Sequence, residues 1–153
     1  MSVQIVVDSC CDLTPQQRSC GVYAIVPLTI QVGSTQYRDD ASLDTALLAD
    51  AMARCKQAAH TACPSPGDYL AAYESAQGDV YVVTLSALLS GSHNSAWQAA
   101  QLFQEQHPER RIHVFNSCSA SAGQALVAAP VAALARPGLP VAPVAARPAP
   151  SVA

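Results

Sequence analysis

Mostly apolar runs alternate with amphipathic stretches along most of this chain. Three of these runs end in small polar residues and predict buried parallel strands: Val3–Val7, Asp79–Leu85 and Ile112–Phe115. Runs of this length in which apolar residues predominate are typical of strands that are covered on both faces of a sheet. A longer run, Val22–Val32, predicts a further strand, with a turn or short hairpin close to Tyr37.

Between these runs, apolar residues recur at helical spacing. This spacing predicts helices from Ser42 to about Gln57 and from about Ser92 to Gln106, and a last helix that begins near Ser119. Two shorter helices have start signals, a hydroxyl cap followed by proline, at Thr14-Pro15 and Ser65–Asp68. Strands that alternate with helices predict an α/β fold, an open and mainly parallel sheet with helices on both faces.

The pattern changes in kind beyond residue 128. Residues 129–153 are mostly alanine, valine, leucine and proline, and Arg136 and Arg147 are their only charges. Each proline removes a helical donor and clashes with the preceding turn, and together the prolines exclude a regular membrane span. We therefore expect an α/β domain over residues 1–128 and an irregular Ala/Pro-rich carboxyl tail over 129–153.

Composition and charge narrow the function classes. Half of the 153 residues are apolar, 12% are charged, and the formal net charge is −3 without any block of lysine or arginine. This balance argues against nucleic acid or an anionic membrane surface as the main partner. The amino terminus has no basic region leading into a long apolar run, so we expect a soluble, cytoplasmic protein.

Motifs for metal, nucleotide or hydrolytic chemistry are missing. The six cysteines and four histidines show no metal-ligand spacing and no C-x-x-C pair, which favours free thiols. No glycine-rich nucleotide motif follows a strand. Ser92 does not lie in G-x-S-x-G, and the side chain of His93 diverges from it on a helix. We expect no metal, no cofactor and no enzymatic activity of the chain itself.

The candidate site lies where polar loops gather at the carboxyl ends of the strands, the edge at which open α/β sheets bind ligands. In Ser86–His93 a strand end, a small-residue loop and a helix start bring hydroxyls and backbone amides together, which favours a carboxylate or phosphate. Gly91 lets a ligand approach the backbone closely. The alternative is that Ser90 or Ser92 only caps the helix.

Three other hydroxyls allow the same two interpretations, ligand binding or a local structural role. Thr61 lies in a predicted loop, residues 60–64, just before a helix, and Ser9 and Ser117 follow predicted strands. Each hydroxyl either binds a ligand or satisfies a local turn.

Five segments, taken in order, resemble the DegV family over about residues 3–128. They are VVDSCCDL (6–13), VPLTIQVGSTQYRD (26–39), TACPSPGDY (61–69), LSALLSGSHNSA (85–96) and NSCSASAG (116–123).

The resemblance implies a function as well as a fold. Members of the family are two-domain proteins that bury a long-chain fatty acid in a tunnel and present its carboxylate to a separate fatty acid kinase subunit. Thr61, Ser90 and Gly91 match the positions associated with carboxylate binding, and Ser9, Ser92 and Ser117 stand as further candidates.

The chain also departs from the family pattern. Where the family usually has Thr-Ser-Gln-Pro-Ser, this chain has residues 61–65 as Thr-Ala-Cys-Pro-Ser, and residues 129–153 resemble a remnant of the linker to a missing second domain. The alternative function is therefore a truncated or degenerate DegV domain that binds no lipid and acts as a structural or interaction module. A half-open tunnel would expose an apolar face through which a homodimer could form.

Overall fold

Seven strands and five helices make up residues 2–135, the part of the chain that the computed structural model describes. In chain order they are β1 Ser2–Asp8, α1 Pro15–Ser19, β2 Tyr23–Val26, β3 Thr29–Val32, β4 Thr35–Arg38, α2 Thr45–Arg54, β5 His60–Ala62, α3 Pro66–Ser75, β6 Gly78–Thr84, α4 Ser92–Gln106, β7 Ile112–Asn116 and α5 Ala122–Leu134.

A four-stranded parallel sheet in the order β2-β1-β6-β7 forms the centre of the fold. Because successive side chains of a strand point to opposite faces, β1 divides its apolar residues between two cores. Val6 packs with residues of α3 and α4, among them Phe103, whereas Ile5 and Val7 pack with Val131 of α5. The predicted α/β fold, with helices on both faces of a parallel sheet, is confirmed.

The single strand predicted over Val22–Val32 is wrong, because the run breaks at Pro27. Before the break β2 pairs with β1, and after it β3 pairs antiparallel with β4 in a separate sheet of order β4-β3-β5. Proline has no N–H with which to continue a ladder, and the next N–H, that of Leu28, donates to the Ser9 hydroxyl at 3.0 Å. The hairpin expected near Tyr37 is confirmed as β3–β4.

The loop predicted over residues 60–64 is in part a strand. The three residues of β5 pair antiparallel with β3, and Thr61 lies opposite Ile30. The residues of β5 form a strand because the free edge of β3 offers hydrogen-bonding groups, a tertiary effect that overrides local propensity. Thr61 is thereby held in register with the smaller sheet.

The predicted helix starts at Thr14 and Ser65 are confirmed, each as a capping box with proline in the first turn. Helix α4 runs over the predicted residues, and Ala96 and Phe103 lie on its buried side. Leu102 of the same helix is half-exposed.

Helix α2 is shorter than the predicted span from Ser42 to about Gln57. Among the residues described, none of its side chains is buried, and Leu47 and Met52 face outward. Its apolar periodicity thus predicts the helix correctly, although the rest of residues 2–135 covers its apolar face only in part, with Leu48 and Ala51 half-buried. No helix in this part of the chain is long and apolar enough to cross a membrane.

Helix α5 extends past the expected domain boundary at residue 128 and ends at Leu134. Residues 129–134 are therefore helical, within the span for which mainly irregular chain with short helical fragments was expected. Pro130 is exposed, whereas Ala128 and Val131 on the inner side of the helix pack against the sheet. Burial of that side offsets the hydrogen bond that the proline cannot make. The expectation for residues 136–153 lies outside the described part.

Candidate functional site

A pocket of about 350 Å³ opens where β6 ends and α4 begins. Its lining consists of Leu28, Thr61, Ala62, Cys63, Leu85, Leu89, Ser90 and Gly91. The structure thus brings together Thr61, Ser90 and Gly91, the three residues that the sequence singled out. Ala62 and Cys63, the departures from the family pattern, lie in the same lining.

The loop between β6 and α4 folds back on itself and places Ser90 at the rim of the pocket. The carbonyl oxygen of Ser86 accepts the backbone N–H groups of Leu89 and Ser90 at 2.9 and 3.1 Å. This turn satisfies its own backbone groups. The Ser90 side chain lies beside the first turn of α4. The positive end of the helix dipole therefore faces the same rim.

Gly91 is required for space rather than for an unusual backbone conformation. It is the N-cap of α4, with φ −72° and ψ −3°, angles that any residue adopts. A Cβ atom built on Gly91 would lie 2.9 Å from the sulfur of Cys63. Another group therefore does approach the backbone of Gly91 closely, and in the structure that group is the Cys63 thiol.

Ser90 and Ser92 form a pair of hydroxyls behind the rim. The Ser90 oxygen accepts the backbone N–H of Ser92 at 3.2 Å, and the two hydroxyl oxygens are 3.0 Å apart. Ser90 therefore satisfies a backbone donor at the helix start while it lines the pocket, so the capping and lining interpretations both apply to it. Ser92 is fully buried and is not part of the lining.

Ser9 and Ser117 do not line this pocket. The Ser9 hydroxyl accepts the N–H of Leu28, and Ser9 borders a separate pocket of about 400 Å³ beside Arg18. The buried Ser117 hydroxyl donates to the carbonyl oxygen of Ser119 and accepts its N–H. Ser117 thus satisfies a local turn, the role that the sequence left open, whereas Ser9 accepts from a backbone group 19 residues away.

Asp8 ties the central strand to the floor of the pocket. It is fully buried, and its carboxyl oxygens accept the N–H of Leu85 at 2.8 Å and the side-chain amide of Gln124 at 3.1 Å. Burial raises the pKa of Asp8, although these hydrogen bonds oppose the effect. Leu85 itself is part of the pocket lining, so Asp8 positions the lining without touching the pocket.

The lining combines polar groups near one end of α4 with apolar side chains. Its hydroxyls belong to Thr61 and Ser90, its larger apolar groups are Leu28, Leu85 and Leu89, and none of its residues is charged. Leu88, the neighbour of Leu89, is 95% exposed and is not part of the lining. Such an arrangement suits a ligand with an anionic head and an apolar body.

The fold and the pocket define the class of protein: a parallel α/β domain with an uncharged pocket, lined by hydroxyl and leucine side chains, at the carboxyl edge of its sheet. The family can also be stated. The sequence model of the family described as "Uncharacterised protein, DegV family" matches residues 2–148. This chain therefore belongs to the DegV family.

Known relatives are similar in sequence and in structure. A DegV domain-containing protein of Streptococcus pneumoniae is 43% identical over 122 residues, which are 78% of this chain and 43% of that protein. A DegV-family structure from Ruminococcus gnavus, refined with vaccenic acid, has 41% identity and a TM-score of 0.85 over 94% of this chain and 51% of its own.

A second solved structure adds another ligand. The Fatty Acid Kinase (Fak) B3 protein of Streptococcus pneumoniae, loaded with linoleic acid, has 39% identity and a TM-score of 0.83. The match covers 95% of this chain and 52% of that one. The chain therefore spans about half the length of these solved structures, and less than half of the curated relative.

Proposed function

We propose that this chain binds a long-chain fatty acid, with the carboxylate held by Thr61, Ser90 and Gly91. The observation that carries the proposal is that these three residues line one pocket beside the start of α4. Relatives of 41% and 39% identity that contain vaccenic and linoleic acid support it.

The chemistry of the lining agrees with such a ligand. A carboxylate that leaves water needs several donors, which the hydroxyls of Thr61 and Ser90 and the positive end of α4 supply. Each buried methylene of the acyl chain contributes about 0.8 kcal/mol against the leucines of the lining. Since the chain spans about half of the solved relatives, we expect it to cover only part of the acyl chain.

The proposal extends to the use of the bound acid. We propose that the chain presents the carboxylate to a fatty acid kinase subunit, which supplies the phosphoryl transfer. Its support is the similarity to the Fak B3 protein and the exposure of Thr61 and Gly91 on the molecular surface. A homodimer through an exposed apolar face stays a prediction, for which Leu88 and Leu89 are the exposed leucines nearest to the site.

Lipid extraction tests the proposal directly. We expect mass spectrometry of the purified chain to detect a bound acyl chain, and palmitate or oleate to bind after delipidation. Finding neither would overturn the proposal and favour a degenerate domain without lipid binding.

Substitution of Ser90 by alanine tests the site. A hydrogen bond to a charged group contributes about 1.5–3 kcal/mol, so Ser90→Ala should weaken palmitate binding by about ten-fold or more. Ser75→Ala is the matched control, because the exposed Ser75 hydroxyl donates to the carbonyl oxygen of Ala72 at the far end of α3. Equal affinities of the two variants would remove Ser90 from the site.

A further inference from the structure

Two loops meet at the carboxyl edge of the central sheet, and one side chain joins them. The first loop follows β6 and carries Ser90 of the pocket lining, and the second follows β7. The side-chain oxygen of Asn116, the last residue of β7, accepts the N–H of Ala87 in the first loop at 3.1 Å and the N–H of Cys118 in the second at 3.0 Å. Because both neighbours are donors, the oxygen of the amide faces them, and it fixes one loop against the other.

The residue before Ala87 is held from the same side. The N–H of Ser86 donates to the carbonyl oxygen of Ser119 at 2.8 Å, and the N–H of Leu85 donates to the buried Asp8 at 2.8 Å. Three consecutive N–H groups, those of residues 85–87, are thus accepted by groups from outside their own loop.

The link to Asn116 bears directly on the turn that places Ser90. The carbonyl oxygen of Ser86, which accepts the N–H groups of Leu89 and Ser90 at 2.9 and 3.1 Å, belongs to the same peptide group as the N–H of Ala87. In a trans peptide group the N–H and the C=O lie in one plane and point in opposite directions. The bond from Ala87 to Asn116 therefore sets the direction of the oxygen around which the turn closes.

The second loop has a backbone conformation that side chains rarely adopt. Cys118 has a φ of 51° and Ser121 a φ of 55°. Such conformations persist only where surrounding contacts hold them. Asn116 accepts the N–H of Cys118, and the hydroxyl of Ser121 donates to Asp12. The second loop is therefore held by its own contacts and gives the first loop a fixed support.

We propose that Asn116 is a positioning residue of the fatty-acid site, which orients the peptide group between Ser86 and Ala87 so that the turn closes and Ser90 lies at the pocket. The inference rests on the proposed function and adds to it the residue that sets the position of Ser90. Asn116 does not line the pocket and acts only through the loop. Without the link, fewer molecules hold the binding conformation, and the affinity falls by that fraction.

Two substitutions of Asn116 separate the link between the loops from the local turn. Asn116→Ser keeps an oxygen for the N–H of Cys118, as the Ser117 hydroxyl accepts the N–H two residues further along. The serine oxygen is one bond closer to the backbone, so it does not reach Ala87. Asn116→Asp keeps an oxygen at both bonds, and measurement of all chains at about 1 M salt screens the added charge beyond about 3 Å.

The matched control is Gln4→Ala, because the Gln4 side chain also bonds to backbone, the carbonyl oxygen of Val22 at 2.7 Å, but outside both loops. We expect Asn116→Ser to weaken palmitate binding by about five-fold. Asn116→Asp and Gln4→Ala should stay within about two-fold of the unmodified chain, since both keep the link to Ala87. Thermal unfolding establishes that each variant is folded. If Asn116→Ser does not fold, Asn116→Gln, which shifts the amide oxygen by one methylene, must give the same loss.

Amide hydrogen exchange in the absence of ligand gives a second readout. In Asn116→Ser we expect the N–H groups of Leu89 and Ser90 to exchange at least about five-fold faster, although the substitution removes neither of their hydrogen bonds directly. The N–H of Leu85, which donates to Asp8, should keep its rate.

The outcomes separate this inference from the proposed function. If the unmodified chain binds no palmitate, the proposed function fails and the role of Asn116 fails with it. If the unmodified chain binds but Asn116→Ser binds equally well, or Leu89 and Ser90 exchange at unchanged rates, only the role of Asn116 is overturned. An equal loss of affinity in Gln4→Ala or in Asn116→Asp shows that the link to Ala87 is not the cause and overturns it as well.

Discussion

Replacing Gly91 by alanine tests whether contact with Cys63 shapes the rim of the pocket. The backbone angles of Gly91 suit alanine, so the substitution acts through space and not through conformation. Its Cβ atom would lie 2.9 Å from the sulfur of Cys63, well inside the contact distance of about 3.5–4.0 Å between non-bonded atoms. Either the half-buried Cys63 or the start of α4 must move.

The two opposing effects of the substitution set its magnitude. Overpacking costs about 1–3 kcal/mol, whereas the reduced freedom of the unfolded chain offsets about 0.4–1 kcal/mol. We therefore expect Gly91→Ala to lower the free energy of unfolding by about 1–2 kcal/mol. In a chain that already carries Cys63→Ala the sulfur is gone, so the same substitution should be neutral or slightly stabilising.

Urea unfolding of the four chains in this double-mutant cycle measures the effect. The control is Gly67→Ala, whose Cβ atom would lie 3.6 Å from the Ser65 hydroxyl, an ordinary contact. We expect a coupling of at least about 1 kcal/mol between positions 63 and 91, and none for the control. Additive effects within about 0.5 kcal/mol would show that the sulfur does not restrict residue 91.

Two further predictions concern stability. Arg110→Lys should lower the free energy of unfolding, measured in urea, by about 2 kcal/mol. Lysine can reproduce neither the hydrogen bonds of the guanidinium to the carbonyl oxygens of Ala76 and Gly78 nor its position 4.6 Å above the ring of Phe103. An unchanged urea midpoint would contradict this prediction. Burial raises the pKa of Asp8 in the folded chain above its ordinary 3.8. The contribution of Asp8 to stability is therefore complete below pH 3.8 and is lost as the pH rises through the pKa that Asp8 has in the folded chain. Urea titrations from pH 4 to 7 should therefore show Asp8→Asn gaining stability relative to the unmodified chain, and a constant difference would refute the shift.

The features that the sequence predicts correctly depend on local signals. The strand over Val3–Val7 is a mostly apolar run, and the helix start at Ser65 has its cap, its proline and its acidic partner within four consecutive residues. The start of α4 is equally local, and for that reason Ser90 and Gly91 are recognisable as candidate site residues from the sequence.

The features that the sequence does not predict depend on distant partners. Residues 60–62 become a strand only because β3 has a free edge, and α5 continues through Pro130 only because the proline faces outward while Val131 packs inward.

The position of β1 in the centre of the sheet has a consequence for synthesis on the ribosome. Strand β1 precedes both of its partners in the chain: it pairs on one side with β2 and on the other with β6, and the hydrogen bond from Leu85 to Asp8 joins residues 77 positions apart. Until β6 has left the exit tunnel, the nascent chain can pair only one edge of β1. Closing so long a loop is entropically slow, so we expect the central sheet to form after translation of Gly78–Thr84, with Ile5 and Val7 open to chaperones before then.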